Sequence, residues 1–350
     1  MCTRVLWQRD DQPVLVGRNM DWKQSLGTNL WVLPRGVERA GIGAQDPNPL
    51  TWTARYGSVV AAAYDAATTD GINEAGLAVH VLWLAESEFG ERDPALPAVS
   101  AASWAQLFLD RFATVAEAVA HLAEHPFQVR PQYDEHSDTV STVHLGLDDA
   151  GGDSAIIEFL DGTPTVHHGR QYTVMTNSPP FEQQLELLRR YEGFGGDQPL
   201  PGTTAAADRF ARAAYYVERL PPAGGSTARA YAALLSVMRN AAQPFGTPDP
   251  QRPNISSTIW RTLADLTNRV YVFESSFSPN IVWVRLDALD FTRAARLDLS
   301  GTDLADGASG SDGGSGSDGG SASDGGGLSD LVGDVSGRFE PAEVFEALSA

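Results

Sequence analysis

The chain has one cysteine and one lysine, and both scarcities narrow its chemistry. A single cysteine, Cys2, excludes internal disulfides and any zinc site built on cysteines. Lys23 is the only lysine; 25 Lys and Arg stand against 45 Asp and Glu, for a net charge of −20. That balance excludes a nucleic-acid partner, which needs a basic face. No apolar run approaches the ~18 residues of a membrane-spanning helix, so no membrane partner is expected. Neither a basic segment nor an apolar signal core precedes Cys2, which argues against both a signal peptide and a lipoprotein. The chain as written therefore reads as cytoplasmic, or as the trimmed mature form of a periplasmic or exported protein. An acidic, Lys-poor composition fits a halophilic host and equally a high-GC codon bias.

What is present is material for a large core: 350 residues, 42% hydrophobic, with eight Trp. The most telling stretch is the first 22 residues. Cys2 follows the initiator Met, and after a polar turn comes Gly17-Arg18-Asn19-Met20-Asp21-Trp22. If Met1 is removed, Cys2 carries a thiol and an α-amine on one residue. A free thiol titrates near ~8.5 and an α-amine near ~7.7–8.0, so the amine is poised as base near neutral pH. A neighbouring guanidinium favours a thiolate, and a buried carboxylate can orient an ammonium. Arg18 and Asp21 are those residue types. A hairpin of strands Thr3–Gln8 and Val14–Asp21 would bring them back to Cys2.

Further strands are expected at Asn29–Pro34, Thr51–Tyr56, Ser58–Tyr64 and Ala78–Leu84. Residues 70–77, Asp-Gly-Ile-Asn-Glu-Ala-Gly-Leu, read as a turn. From Ser100 to Leu122 apolar residues recur every three or four positions, predicting two helices. Ser100 or Ser103 would cap the first, and Thr114, with Glu117 three residues on, the second. Strands return at Thr139–Leu147, Ser154–Leu160, Thr163–His168 and Gln171–Thr176. His167 and His168, adjacent on a strand, face opposite ways and suggest no metal site; no metal or cofactor is read from the sequence. Helices follow at Phe181–Tyr191, Thr204–Leu220 and Ser226–Val237. Taken alone, Arg209 reads as a solvated surface residue near a helix start. The last strands are Ser256–Ala264, Arg269–Glu274 and Ile281–Leu286. This order gives an α+β fold, two antiparallel sheets packed together with helices outside. Residues 2–300 would form one domain. Residues 301–327, a Gly/Ser/Asp repeat, would be a disordered insert, with 328–350 docking back.

Five motifs recur in the order of one family: Met1-Cys2-Thr3-Arg4, Gly17–Trp22, Asp70–Leu77, Val174-Met175-Thr176-Asn177-Ser178-Pro179 and Asp208-Arg209-Phe210. Together they resemble the choloylglycine hydrolase family, the penicillin V acylases and conjugated bile salt hydrolases of the N-terminal nucleophile (Ntn) hydrolase fold. The resemblance covers nearly the whole chain outside the repeat and implies a four-layer αββα sandwich. It implies Cys2 as nucleophile after loss of Met1, with Arg18 and Asp21 holding its thiolate and amine. Asn177 would supply an oxyanion donor, and Arg209 would complete the polar cluster.

Where the family commonly has Asn or Tyr, this chain has Trp83. Its backbone N–H can serve the oxyanion, but its side chain offers no amide. Trp22 with Trp83 resembles the Gram-negative branch of the family, in which activity on penicillin V or acyl-homoserine lactones is typical. Such walls suit flat aromatic or flexible aliphatic acyl groups. The short segment between Asn177 and Arg209 makes bile salts the lesser expectation. It also leaves the oligomer, tetramer or dimer, open. The implied partner is a small amide substrate; an inactive binding protein of the same fold is the alternative of another class. N-terminal sequencing of the purified protein is expected to begin at Cys2, with that thiol open to alkylation. A retained Met1 with an unreactive Cys2 would contradict the expectation.

Overall fold

The computed structural model describes residues 2–43, 45–134, 139–191, 198–245, 256–278, 280–299 and 331–345. Two antiparallel sheets stack face to face. The first runs Val174–Met175, Cys2–Trp7, Leu15–Trp22, Ser257–Asp265, Val270–Ser275, Ile281–Arg285 and Gly333–Asp334, the last pairing parallel. The second runs Thr163–His168, Ser154–Leu160, Val143–Asp148, Ala78–Trp83, Ala67–Asn73, Ser58–Ala63, Asn29–Leu33, Ala295–Leu297 and Glu340–Pro341. Helices Ala101–Arg111 and Val115–Glu124 cover the second sheet. Helices Ala206–Glu218 and Thr227–Asn240 cover the first. The result is the four-layer αββα sandwich.

Sheets covered on both faces need strands that are apolar throughout rather than alternating. Ser58–Ala63, with sequence SVVAAA, is buried at every position. The strand carrying Gly17 shows how closely the layers meet. A Cβ there would lie 2.6 Å from Met238 Cγ on the Thr227–Asn240 helix. The caps are local and follow the expected chemistry: Ser100 accepts from the Ala102 N–H and Thr114 from the Glu117 N–H.

Several expected elements differ. Asp70–Asn73 is not a turn but the end of the Ala67–Asn73 strand. Asp70 is buried there, accepting from Tyr271 Oη at 2.5 Å and Thr262 Oγ1 at 3.0 Å, with His80 Nδ1 at 2.6 Å. Those long-range partners outweigh the local turn preference. The turn itself is confined to the next residues, where the Asn73 side chain accepts from the Ala75 and Leu77 amides. Thr51–Thr53 pairs with Glu38–Ala40 in a separate small sheet. The Thr139–Leu147 expectation splits in two. Thr139–Val140 pairs antiparallel with Tyr133–Asp134, and the main-sheet strand is Val143–Asp148. The 301–327 repeat lies outside the described residues. After it, Leu331, Val335 and Phe345 are buried.

A buried polar chain links the two sheets. Arg4 Nε donates to Asp148 Oδ2 at 2.7 Å, and both side chains are 0% exposed. Asp148 also lies 3.5 Å from His80 Nε2, and His80 in turn meets Asp70. Removing one member of such a pair strands a buried charge. Asp148→Asn is expected to lower the unfolding free energy by about 3–5 kcal/mol in a urea titration. Glu186→Gln, at the exposed Arg189–Glu186 pair, should scarcely move it. Equal effects would contradict this ranking.

Candidate active site

Cys2 opens its strand opposite Met20, and Arg4 lies opposite Arg18. Strand alternation therefore puts Cys2, Arg4, Arg18 and Met20 on one face and Thr3, Asn19 and Asp21 on the other. The face bearing Cys2 borders the space between the sheets. The face bearing Asp21 meets the helix layer, where Asn19 Nδ2 donates to Met238 O at 2.7 Å. The site is thus built from two half-clusters on opposite faces of one hairpin, meeting at the Cys2 backbone.

On the inter-sheet face, Arg18 Nη2 lies 3.5 Å from Cys2 Sγ and donates to Val81 O at 2.7 Å. Its guanidinium carbon stacks 4.6 Å above the Trp260 ring. On the helix face, Asp21 accepts from Thr258 Oγ1 at 2.5 Å and Gln243 Nε2 at 2.8 Å, with Arg209 Nη1 at 3.4 Å. One irregularity serves both halves. The register between the Leu15–Trp22 and Ser257–Asp265 strands shifts between Thr258 and Trp260. A bulge adds one residue and reverses which face the next side chain takes. Thr258 therefore meets Asp21 on the helix side, while Trp260 meets Arg18 between the sheets.

Arg209 reverses its reading as a surface cation: it is 0% exposed. Nη1 donates to Cys2 O at 2.5 Å and to Thr3 Oγ1 at 2.6 Å, and Nη2 to Asn177 Oδ1 at 2.8 Å. Burial pulls its pKa below the ordinary arginine value, against the opposing pull of Asp21 and Cys2. Asn177 Oδ1 also accepts from the Cys2 backbone nitrogen at 2.5 Å, while Nδ2 donates to Trp83 O at 2.7 Å. With Oδ1 and one N–H engaged, the second amide N–H of Asn177 is available to a ligand.

The Ala78–Trp83 strand supplies backbone groups because its neighbour leaves it. Pairing with Ala67–Asn73 ends at Asp70 opposite His80. On the other side, Leu84 N donates to Thr142 O, so Trp83 and Val143 form a non-hydrogen-bonded pair. The N–H and C=O of Trp83 consequently point away from Val143, toward Asn177. Beside them opens a cavity of about 410 Å³ that reaches Cys2, Arg18 and Met20. Trp22 and Trp83 wall it, ring centroids 5.5 Å apart and tilted by 48°. Tyr64, Tyr133 and Thr139 also line it.

The structure brings Cys2, Arg18, Trp22, Asp21, Trp83, Asn177 and Arg209 to one place. Sequence reasoning missed Thr258, Gln243 and Thr3, whose hydroxyls and amide fill the polar cluster. Only the strand register puts Thr258 opposite Asp21, and nothing local marks it. Among the described residues no group of three or more His, Cys, Asp or Glu is placed to hold a metal ion. Among them, too, no helix is long and apolar enough to cross a membrane.

Known proteins resemble this chain at both the sequence and the structural level. The family described as linear amide C–N hydrolases, choloylglycine hydrolase family, matches residues 2–305. A penicillin V acylase of Pectobacterium atrosepticum is 42% identical over 370 residues, covering 99% of this chain and 91% of that protein. A bile salt hydrolase/transferase of Bifidobacterium longum subsp. longum is 28% identical over 245 residues, covering 61% and 73%. The solved penicillin V acylase from Agrobacterium tumefaciens superposes with a TM-score of 0.83 at 40% identity, each chain wholly covered. A mutant conjugated bile acid hydrolase from Clostridium perfringens shares the fold, with TM-score 0.71 at 20% identity over 83% of this chain and 94% of that one.

Thr258 and Gln243 each donate a hydrogen bond to the Asp21 carboxylate. Thr258→Val leaves it short of one buried hydrogen bond, and a loss of about 1–3 kcal/mol in unfolding free energy is expected. A urea titration reads it; an unchanged midpoint would contradict the assignment.

Proposed function

The chain belongs to the choloylglycine hydrolase family of linear amide C–N hydrolases, and on that premise we propose an N-terminal cysteine amidohydrolase of the penicillin V acylase type. One observation carries the reading: the Cys2 thiol faces an indole-walled cavity while the Cys2 nitrogen sits 2.5 Å from Asn177 Oδ1. Removal of Met1 turns that nitrogen into an amine, and the amine takes the thiol proton. The thiolate, beside Arg18, attacks the amide carbonyl carbon. The oxyanion forms between the second N–H of Asn177 and the backbone N–H of Trp83. Each such donor is worth roughly 2.7–4 kcal/mol in comparable sites. The Cys2 amine returns its proton to the departing nitrogen as the C–N bond breaks. Water, deprotonated by the same amine, then cleaves the thioester. The balance is one amide and one water in, one acid and one amine out.

Asp21 holds the far side of the cluster through Arg209, and Arg209 fixes the Cys2 carbonyl and the Asn177 oxygen. Trp22 and Trp83 offer apolar faces to the acyl group, which suits phenoxyacetyl or a flexible aliphatic chain. Acyl-homoserine lactone cleavage is the other acyl class these walls support. A bile salt hydrolase is the weaker reading, since the bile salt hydrolase relatives match at 28% identity over 61% of the chain.

A substrate panel decides among these readings. Phenoxymethylpenicillin and long-chain acyl-homoserine lactones are expected to be cleaved with kcat/KM at least about 10-fold above glycine-conjugated bile acids, a gap of some 1.4 kcal/mol. Cys2→Ala should abolish all turnover. Trp83→Ala should raise KM for the phenoxyacetyl substrate by roughly 10-fold through lost ring contact. Preference for bile conjugates would overturn the acylase reading. No cleavage by a chain with a free Cys2 amine would leave a binding protein of the same fold.

A further inference from the structure

Beside the segment that carries Asn177 lies a buried His–Glu pair that the reaction above does not use. His144 sits on the Val143–Asp148 strand and is 2% exposed; Glu158, on the neighbouring Ser154–Leu160 strand, is 0% exposed. His144 Nδ1 lies 3.0 Å from Glu158 Oε1, and Nε2 lies 3.0 Å from Thr176 O. Both partners are acceptors.

Both oxygens of Glu158 also face the Phe181 backbone N–H at 3.1 Å. Burial alone would raise the Glu158 pKa, but His144, His167 and the Phe181 amide outweigh that and hold it at about 2.

What this pair holds is the segment that carries Asn177. Thr176, one residue before it, gives its carbonyl to His144. Phe181, the first residue of the Phe181–Leu188 helix, gives its N–H to Glu158. Between those two ties, Asn177 O accepts from Gln184 Nε2 at 2.8 Å, and Ser178 Oγ accepts from the Ala85 N–H at 3.0 Å. The segment is thus pinned at both ends by one His–Glu pair anchored on two adjacent strands of the second sheet. Asn177 follows the first sheet's edge strand, Val174–Met175, so the pair also sets its distance from Trp83.

We infer that His144 and Glu158 form a histidine–carboxylate clamp that positions the Asn177 amide for the oxyanion. They are positioning residues that act through Asn177 and touch no substrate. The inference rests on the oxyanion role proposed for Asn177. His167, whose Nε2 lies 3.8 Å from Glu158 Oε2, is the other titratable group at the carboxylate. It is too far to replace the His144 bond.

The test uses the full chain and two kinds of readout. In asparagine-¹⁵N-labelled protein, the side-chain amide signal of Asn177 is expected to shift in His144→Gln and in Glu158→Gln. Unmoved Asn177 signals in both variants would overturn the clamp. His144→Gln, which keeps a single donor, is expected to lower kcat on phenoxymethylpenicillin by roughly 10- to 100-fold, the scale of a displaced catalytic group. KM and the rate of Cys2 alkylation by iodoacetamide should stay within about 3-fold, since the acyl pocket and the thiol face are not involved. In an Asn177→Ala background the same substitution should cost little more, because the clamp then has nothing to place. An unchanged kcat in His144→Gln, or a full additional loss in the Asn177→Ala background, would overturn the inference. If His144→Gln does not fold, Glu158→Gln still decides. If wild type cleaves no amide, the proposed function fails while the Asn177 signals judge the clamp separately.

Discussion

A buried guanidinium holds this site together. Arg209 reaches from the Ala206–Glu218 helix to the Cys2 carbonyl, the Thr3 hydroxyl, the Asn177 side-chain oxygen and the Asp21 carboxylate. Elements far apart in sequence are indexed to one planar group. Arginine suits the task because its fork offers several donors in fixed directions and stays charged when buried. A buried cation is costly unless its donors are met, and here Asp21 supplies the opposite charge.

The sandwich explains why the cluster has two halves. A strand shows alternate side chains to opposite faces, so one hairpin can serve the inter-sheet cavity and the helix layer together. The bulge between Thr258 and Trp260 makes the adjoining strand match, placing a hydroxyl on one face and an indole on the other. Trp260 then supports Arg18 from beneath, leaving the guanidinium between the ring and the Cys2 thiol. The point where the Ala67–Asn73 and Ala78–Trp83 strands part frees the backbone of Val81 and Trp83. The opening that results is the acyl cavity.

Much of this was legible in the chain. Apolar runs such as SVVAAA read as strands because both of their faces are covered. The Thr114 cap was readable because its chemistry spans only three residues. The motif set around Cys2, Asn177 and Arg209 pointed to a single site even though no motif did so alone. What was hidden depends on long-range pairing. Asp70 resembled turn chemistry, yet it ends in a strand because Tyr271, Thr262 and His80 satisfy it from three other strands. Arg209 read as a surface residue because its Cys2 and Asn177 partners lie more than 30 positions away. Thr258 and Gln243 carry no local mark at all; their use follows from register and from a bulge. The same holds for His144 and Glu158, two polar residues on core strands whose pairing only the sheet reveals.

The account turns on Cys2 acting as an N-terminal nucleophile, and trapping the acyl-enzyme tests this most directly. The protein is mixed with phenoxymethylpenicillin, quenched in acid within the first turnovers, digested and mapped by mass spectrometry. The account predicts a phenoxyacetyl group on a peptide whose first residue is Cys2. Turnover by a chain whose N-terminal peptide still carries Met1, or an acyl group on any other residue, would contradict it.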